Sequence, residues 1–296
     1  MLSASCFTGI ESTPKITASD VKRQNIVVTD EERYLSDIGP QPIADWTAGK
    51  KLIVTDSRIS LALKNMQNAP APQAGEILTF GHRSPATTIT GTAATDITVT
   101  DSSGTPFSYR IEADSLPAEA EIPFTIQLDM VNDVRTRMLG NEYYILTSAW
   151  YDKGGNSHRG LKYIKVEITD VTPGNANYPI KLSFVKASAA DTYNSAEQFS
   201  VLMSVGNRIN STRKFNNLFS LADPRKRYPD ISPENWDLIS QGRVRIGMTR
   251  DECRLSLGKA SNVERINSYG GVIERWTYEN GRYLIFEDGL LNRFRQ

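Results

Sequence analysis

The sequence predicts a mainly β chain that ends in a small α+β domain. Three observations point there. Short runs of β-branched and aromatic residues recur through residues 42–204, punctuated by Gly, Pro, Ser and Asp. Two capped helix starts follow, Ser232-Pro233-Glu234 and Thr249-Arg250-Asp251-Glu252. After them come β runs joined by Asn280-Gly281 and Asp288-Gly289, dipeptides that favour tight hairpins.

Residues 1–41 read as a lipoprotein tether. Cys6 follows Leu2-Ser3-Ala4-Ser5, which is similar to the end of a bacterial lipoprotein signal, where small residues lead into an acylated cysteine. The apolar body of such a signal does not precede it, and Ser3 stands where Leu is usual, so a chance likeness in an ordinary Met-initiated chain is the alternative. The residues after Cys6 are polar, with scattered Pro, Thr, Asp and Glu and no steady period, as in a linker.

Residues 42–116 form the first expected β-domain, with strands near 51–55, 76–80, 96–100 and 107–111. Residues 117–204 form the second, with strands near 124–128, 143–146, 163–168 and 180–185. The two series run in parallel. Gly49-Lys50-Lys51-Leu52-Ile53-Val54-Thr55-Asp56-Ser57 resembles Gly140-Asn141-Glu142-Tyr143-Tyr144-Ile145-Leu146-Thr147-Ser148; Gly75 matches Gly160, and Pro106-Phe107 matches Pro179-Ile180. This order points to a duplicated small barrel or sandwich, SH3-like in size, against the alternative of two unrelated runs of β-formers. Residues 205–230, with Phe215, Leu218 and Phe219, read as a connector packed onto one domain.

Residues 231–296 predict the order ααβββ. Ser232 caps the first helix with Pro233 at its first position, Trp236 and Ile239 share a face, and Gly242 ends it. Thr249 and Glu252 form a capping box for the second, Met248 and Cys253 a hydrophobic staple, and Gly258 the stop. Three strands follow near 272–278, 283–286 and 290–294. Trp276 and Tyr278 fall on one strand face and cover the helices, while Ile273, Arg275 and Thr277 fall on the other, a candidate partner surface.

The run Gly247-Met248-Thr249, the helix ending Leu257-Gly258-Lys259, then Glu274-Arg275-Trp276-Thr277-Tyr278 and Tyr283-Leu284-Ile285-Phe286-Glu287-Asp288-Gly289 resembles the SmpA/OmlA family, BamE-like lipoproteins of the outer-membrane β-barrel assembly machinery. Ala260 stands where that family usually has Pro, and Cys253 where it has an aliphatic residue. The resemblance covers the C-terminal domain alone and implies its fold and a cell-envelope setting. Taken with Cys6 as a lipidation site, it leads to the expectation of a non-enzymatic protein, lipid-anchored at the periplasmic side of the outer membrane and working through contacts with envelope proteins. Related ααβββ units occur in protein inhibitors of β-lactamase. Fold alone does not assign function.

Charge excludes some partners. The 34 basic and 34 acidic residues balance, leaving no electrostatic footprint for nucleic acid. No apolar run reaches the about 18 residues of a helical membrane span.

The chemistry-bearing residues are few. The two cysteines are too few for a disulfide framework, and Cys253 lies on an apolar helix face. The two histidines, His82 and His158, are expected in Gly/Ser loops; Asp152 is near His158, but no G-x-S-x-G turn accompanies them. The Asp96 to Asp101 stretch lacks the spacing of a calcium loop, and no Cys/His cluster suggests a metal, so no cofactor is expected. Trp150-Tyr151, close after Tyr143-Tyr144, are candidates for a ligand or partner surface, against the competing reading that strand alternation sends one of each pair to a core. They sustain an alternative function, a wall- or glycan-binding module carried by the β-domains.

Overall fold

A computed structural model of the chain describes residues 28–65, 67, 69–187, 197–206, 211–268 and 271–295. Within them the protein is mainly β, built on three antiparallel sheets, each enclosing its own apolar core. Cys6 lies outside the described residues.

The segment expected to be a tether is packed from its first described turn. Thr29 and Glu32 cap a short helix α1 (Asp30–Arg33) reciprocally. Leu35 and Ile38 then enter the core of the second sheet, while Ile43 and Trp46 enter that of the first. The expected boundary at residue 41 therefore falls inside a strap that joins two cores. Polar residues fix it: Gln41 and Gln127 exchange amide hydrogen bonds at 2.8 and 2.9 Å, and Arg137 grips Asp37 through both carboxylate oxygens.

The first sheet comprises β1 (Lys51–Val54), β2 (Lys64–Asn65), β3 (Ile77–Thr87), β4 (Ala93–Thr100), β5 (Pro106–Ile111) and β6 (Thr125–Gln127). Its order is β2-β5-β4-β3-β1-β6. The strand expected at 124–128 is thus only three residues long and belongs to the first sheet, which moves the boundary past residue 116. The chain then turns directly into α2 (Leu128–Met138), which buries Met130, Val131, Val134 and Met138. That spacing is helical.

The second sheet comprises β7 (Glu142–Ile145), β8 (Ala149–Tyr151), β9 (Ser157–Arg159), β10 (Ile164–Pro173), β11 (Ile180–Lys186), β12 (Phe199–Met203) and β13 (Phe219–Ser220). Helix α3 (Phe215–Leu218) precedes β13, so the expected connector supplies both core residues and an edge strand. The order β13-β7-β10-β11-β12-β8-β9, read from its far end, follows the first sheet with the β8–β9 hairpin in the place of β2. Registers agree in detail. Leu52 faces Leu78 as Tyr143 faces Val166, and Val99 faces Phe107 as Phe184 faces Phe199. A bulge follows Phe80 in β3 and Ile168 in β10, and the amides of Gly49 and Gly140 donate to those two carbonyls, each at 2.8 Å. Two expected matches change. Gly75 corresponds to Tyr163, whose amides donate to Val54 and Ile145 respectively, rather than to Gly160. Phe107 corresponds to Phe199, because Ile180 begins β11, the counterpart of β4.

The third unit has two helices and four strands. Helices α4 (Pro233–Ser240) and α5 (Arg250–Leu257) start on the expected caps, Ser232 and Thr249. Strands β14 (Asn262–Ser268), β15 (Gly271–Thr277), β16 (Tyr283–Glu287) and β17 (Leu290–Arg295) form a meander in chain order. The order expected as ααβββ is therefore ααββββ. The extra strand, β14, has Val263 and Arg265 cross-strand from Trp276 and Glu274, on the sheet face that bears the helices, yet both are exposed. The helices stop short of β14, so nothing there requires an apolar alternation.

This unit docks on the second sheet through the segment that leads into β10. Lys162 Nζ donates to the carbonyls of Leu255 and Ser256 at the end of α5, Tyr163 Oη donates to Leu255, and Arg159 reaches the carbonyl of Gly242. The ring of Tyr163 meets Trp236 of α4 edge-on at 5.8 Å. No helix among the described residues is long and apolar enough to cross a membrane.

Candidate functional site

The uncovered inner face of β14 leaves a groove of about 440 Å³ between that strand and α5. Its floor is Val263 and Arg265 of β14 with Glu274 and Trp276 of β15; its wall is Arg250 and Arg254, one turn apart on α5. The helix register and strand alternation place these side chains together.

Glu274 is the hub. Its side chain is 4% exposed, so desolvation of the carboxylate must be offset by partners. One oxygen accepts from Arg265 Nε at 2.7 Å. The other accepts from Trp276 Nε1 at 3.2 Å and lies 3.0 Å from Arg250 Nε, an ion pair without hydrogen-bond alignment that leaves this buried nitrogen without an acceptor. Arg254 lies over the Trp276 ring at 5.4 Å and meets Asp251 at 3.2 Å. Three guanidinium groups thus line a groove that contains one carboxylate, and that carboxylate is already shared.

The outer face of the same sheet carries Ile273, Arg275 and Thr277. Arg275 is exposed and the other two are half-buried by their neighbours, with Arg275 5.7 Å above the ring of Tyr283. Trp150, by contrast, is fully buried: its indole donates to the carbonyl of Thr147 at 2.8 Å and packs edge-on to Phe184. The expectation that Trp150 contributes to a surface is corrected by this alternation on β8, which turns Trp150 inward and leaves Tyr151 half-buried.

The histidines sit on strands rather than in loops. His82 is exposed on β3, and His158 on β9 lies 4.7 Å from the ring of Phe199. Asp152 is engaged by the amide and side chain of Asn156, which hold its carboxyl below the usual range. Asp96 forms a two-point ion pair with Arg110, and Asp101 caps a turn through Ser103 and Thr105. Cys253 is buried, and burial pushes its thiol up to about 12, so little thiolate exists near neutrality. Among the described residues, no group of three or more His, Cys, Asp and Glu converges as a metal site requires.

Sequence reasoning named neither Glu274 nor its arginines as a site. The available signal was a carboxylate two residues before Trp276, on the side of the strand that faces inward. No protein-family model matches the chain, and no curated protein or solved structure matches it either.

Proposed function

We propose that the chain is a non-enzymatic lipoprotein of a Gram-negative envelope that acts through protein–protein contacts in outer-membrane assembly or integrity, anchored on the periplasmic side by a lipid on Cys6. The observation that carries the reading is the half-covered third sheet. Two helices cover its centre, leaving an outer face with Ile273, Arg275 and Thr277 and an arginine-lined groove beside β14. Exposed antiparallel faces and edges are where small sheets meet other proteins. The SmpA/OmlA resemblance supports the reading: Thr249 caps α5, Trp276 packs on Phe286 at 4.8 Å, and Gly289 takes a positive φ at the β16–β17 turn.

The two larger sheets fit a duplicated SH3-like unit that serves as a spacer. The matching strand order, bulges and Gly49 and Gly140 hydrogen bonds support that origin. The glycan-binding alternative is the weaker reading, since burial of Trp150 removes its largest aromatic platform.

The test is crosslinking with affinity purification from intact cells that make the full precursor, with a photo-crosslinking residue at Arg275. Discrete envelope-protein adducts that move to the soluble envelope fraction with Cys6→Ser are the expected result. An unmodified N-terminal peptide from a cytosolic fraction overturns the anchor and the compartment together.

A further inference from the structure

We propose that the α5–β14 groove receives an extended acidic segment of a partner protein, which adds to the free edge of β14 and lays alternate carboxylates against Arg254 and Arg265. The inference deepens the protein-contact reading and rests on it.

Charge is the first argument. Glu274 satisfies Arg265 through Nε and pairs with Arg250, so it offsets one of the three guanidinium charges in the groove. Arg265 keeps 71% of its side chain exposed and Arg254 keeps 59%, so both remain open to solvent. A planar fork of donors matches a carboxylate by two parallel hydrogen bonds. Asp251 engages Arg254 at 3.2 Å and competes only as an exposed pair, which is weak.

Backbone geometry is the second argument, and it selects a peptide over a small anion. Among the described residues, β14 pairs with β15 alone, so its other edge presents unpaired main-chain groups beside the groove. An added strand makes main-chain bonds to that edge and sends every second side chain to the groove face. Arg265 and Val263 lie two residues apart on that face, so one inward side chain of an incoming strand meets Arg265 and the next lies beside Val263, the cross-strand neighbour of the Trp276 ring that Arg254 covers. Glu274 fixes the geometry: its bond to Arg265 Nε holds the guanidinium against the floor.

The experiment measures binding to the purified full chain by fluorescence of labelled peptides. The probe is a blocked peptide alternating Glu with Thr. Its comparators are the same peptide with Lys for Glu, an acidic peptide interrupted by Pro, inorganic phosphate, and phosphatidylcholine vesicles with and without phosphatidylglycerol. The alternating acidic peptide should bind, the Lys and Pro peptides should bind at least about tenfold more weakly, and salt should weaken the complex. Arg254→Gln and Arg265→Gln should each reduce affinity by about fivefold to tenfold, the range of one charge-assisted contact. If Arg265→Gln disturbs Glu274 and the fold, Arg254→Gln still decides, because Arg254 is mostly exposed. Equal binding of the Pro-interrupted peptide, full competition by phosphate, preference for the anionic vesicles, or affinity unchanged in Arg254→Gln each overturns the proposal. Peptide binding without envelope crosslinks overturns only the compartment reading, whereas crosslinks that persist with no peptide binding overturn only the groove.

Discussion

Thr249 shows how much a single residue can settle locally. Its hydroxyl accepts from the amide of Glu252 at 3.3 Å, and Glu252 returns a carboxylate to the Thr249 amide at 2.7 Å. Glu252 is itself buried and also accepts from Asn235 of α4 at 2.5 Å, while Asn235 accepts from Arg245. The cap therefore organises both helices. Thr249→Ala should cost about 0.5 to 2 kcal/mol, toward the upper part of that range because a buried carboxylate loses a donor. Urea unfolding checks this, and an unchanged midpoint would remove the capping box from the energetics. The box was legible because its partners lie three residues apart. Glu274 was not, because its meaning depends on Arg250, 24 positions upstream, and on Arg265 across a hairpin. The sequence displays the acid; only the fold displays its company.

At the scale of elements, alternation and turn chemistry expose the long strands and conceal the short ones. β3, β4, β5, β7, β10 and β11 each overlap an expected β-rich run because alternate residues such as Leu78 and Phe80 enter a core, but β3 and β10 run well past it, β3 through the segment of His82. β2 and β13 have two residues each, too few to carry a period. Helix α2 had a helical period, but Phe124, Ile126 and Leu128 begin as a β-like run and mask where the strand stops. Gly160 was legible as a glycine and misread in purpose. A Cβ there would lie 2.0 Å from Trp150 Cδ2, so the indole of β8 occupies the space beside the loop after β9. Gly160→Ala should force that ring to shift and cost about 1 to 3 kcal/mol by overpacking. A thermal melt should show the loss, with the Trp fluorescence altered; wild-type stability in Gly160→Ala would contradict the close approach.

On the scale of the whole molecule, polar contacts help to join the three cores, and the Lys162 clamp is the one that ties the third unit to the second sheet. Lys162 holds the last carbonyls of α5 to the second sheet through its Nζ. Burial, and secondarily Arg159, lowers its pKa from 10.5 to about 8. Between those two values the unfolded chain keeps the proton and the folded chain does not, so stability from this group rises with pH across the window. The contribution is complete above the unfolded value and is lost as pH falls through about 8. Cys253, Tyr163 and Tyr278 oppose it, because burial raises each of them to about 12 and alkaline pH then favours unfolding. Lys162→Met separates the two effects. It removes the titration and leaves the carbonyls of Leu255 and Ser256 without that donor, so the variant should be less stable at pH 9.5. Its deficit relative to wild type should grow between about pH 8 and 10.5, because only the wild type gains from Lys162 there. Urea unfolding of both proteins at several pH values reads this difference directly. A deficit that shrinks as pH rises would mean that the two carbonyls hold an ammonium, and that the clamp works as an ion at a helix end rather than as a neutral donor.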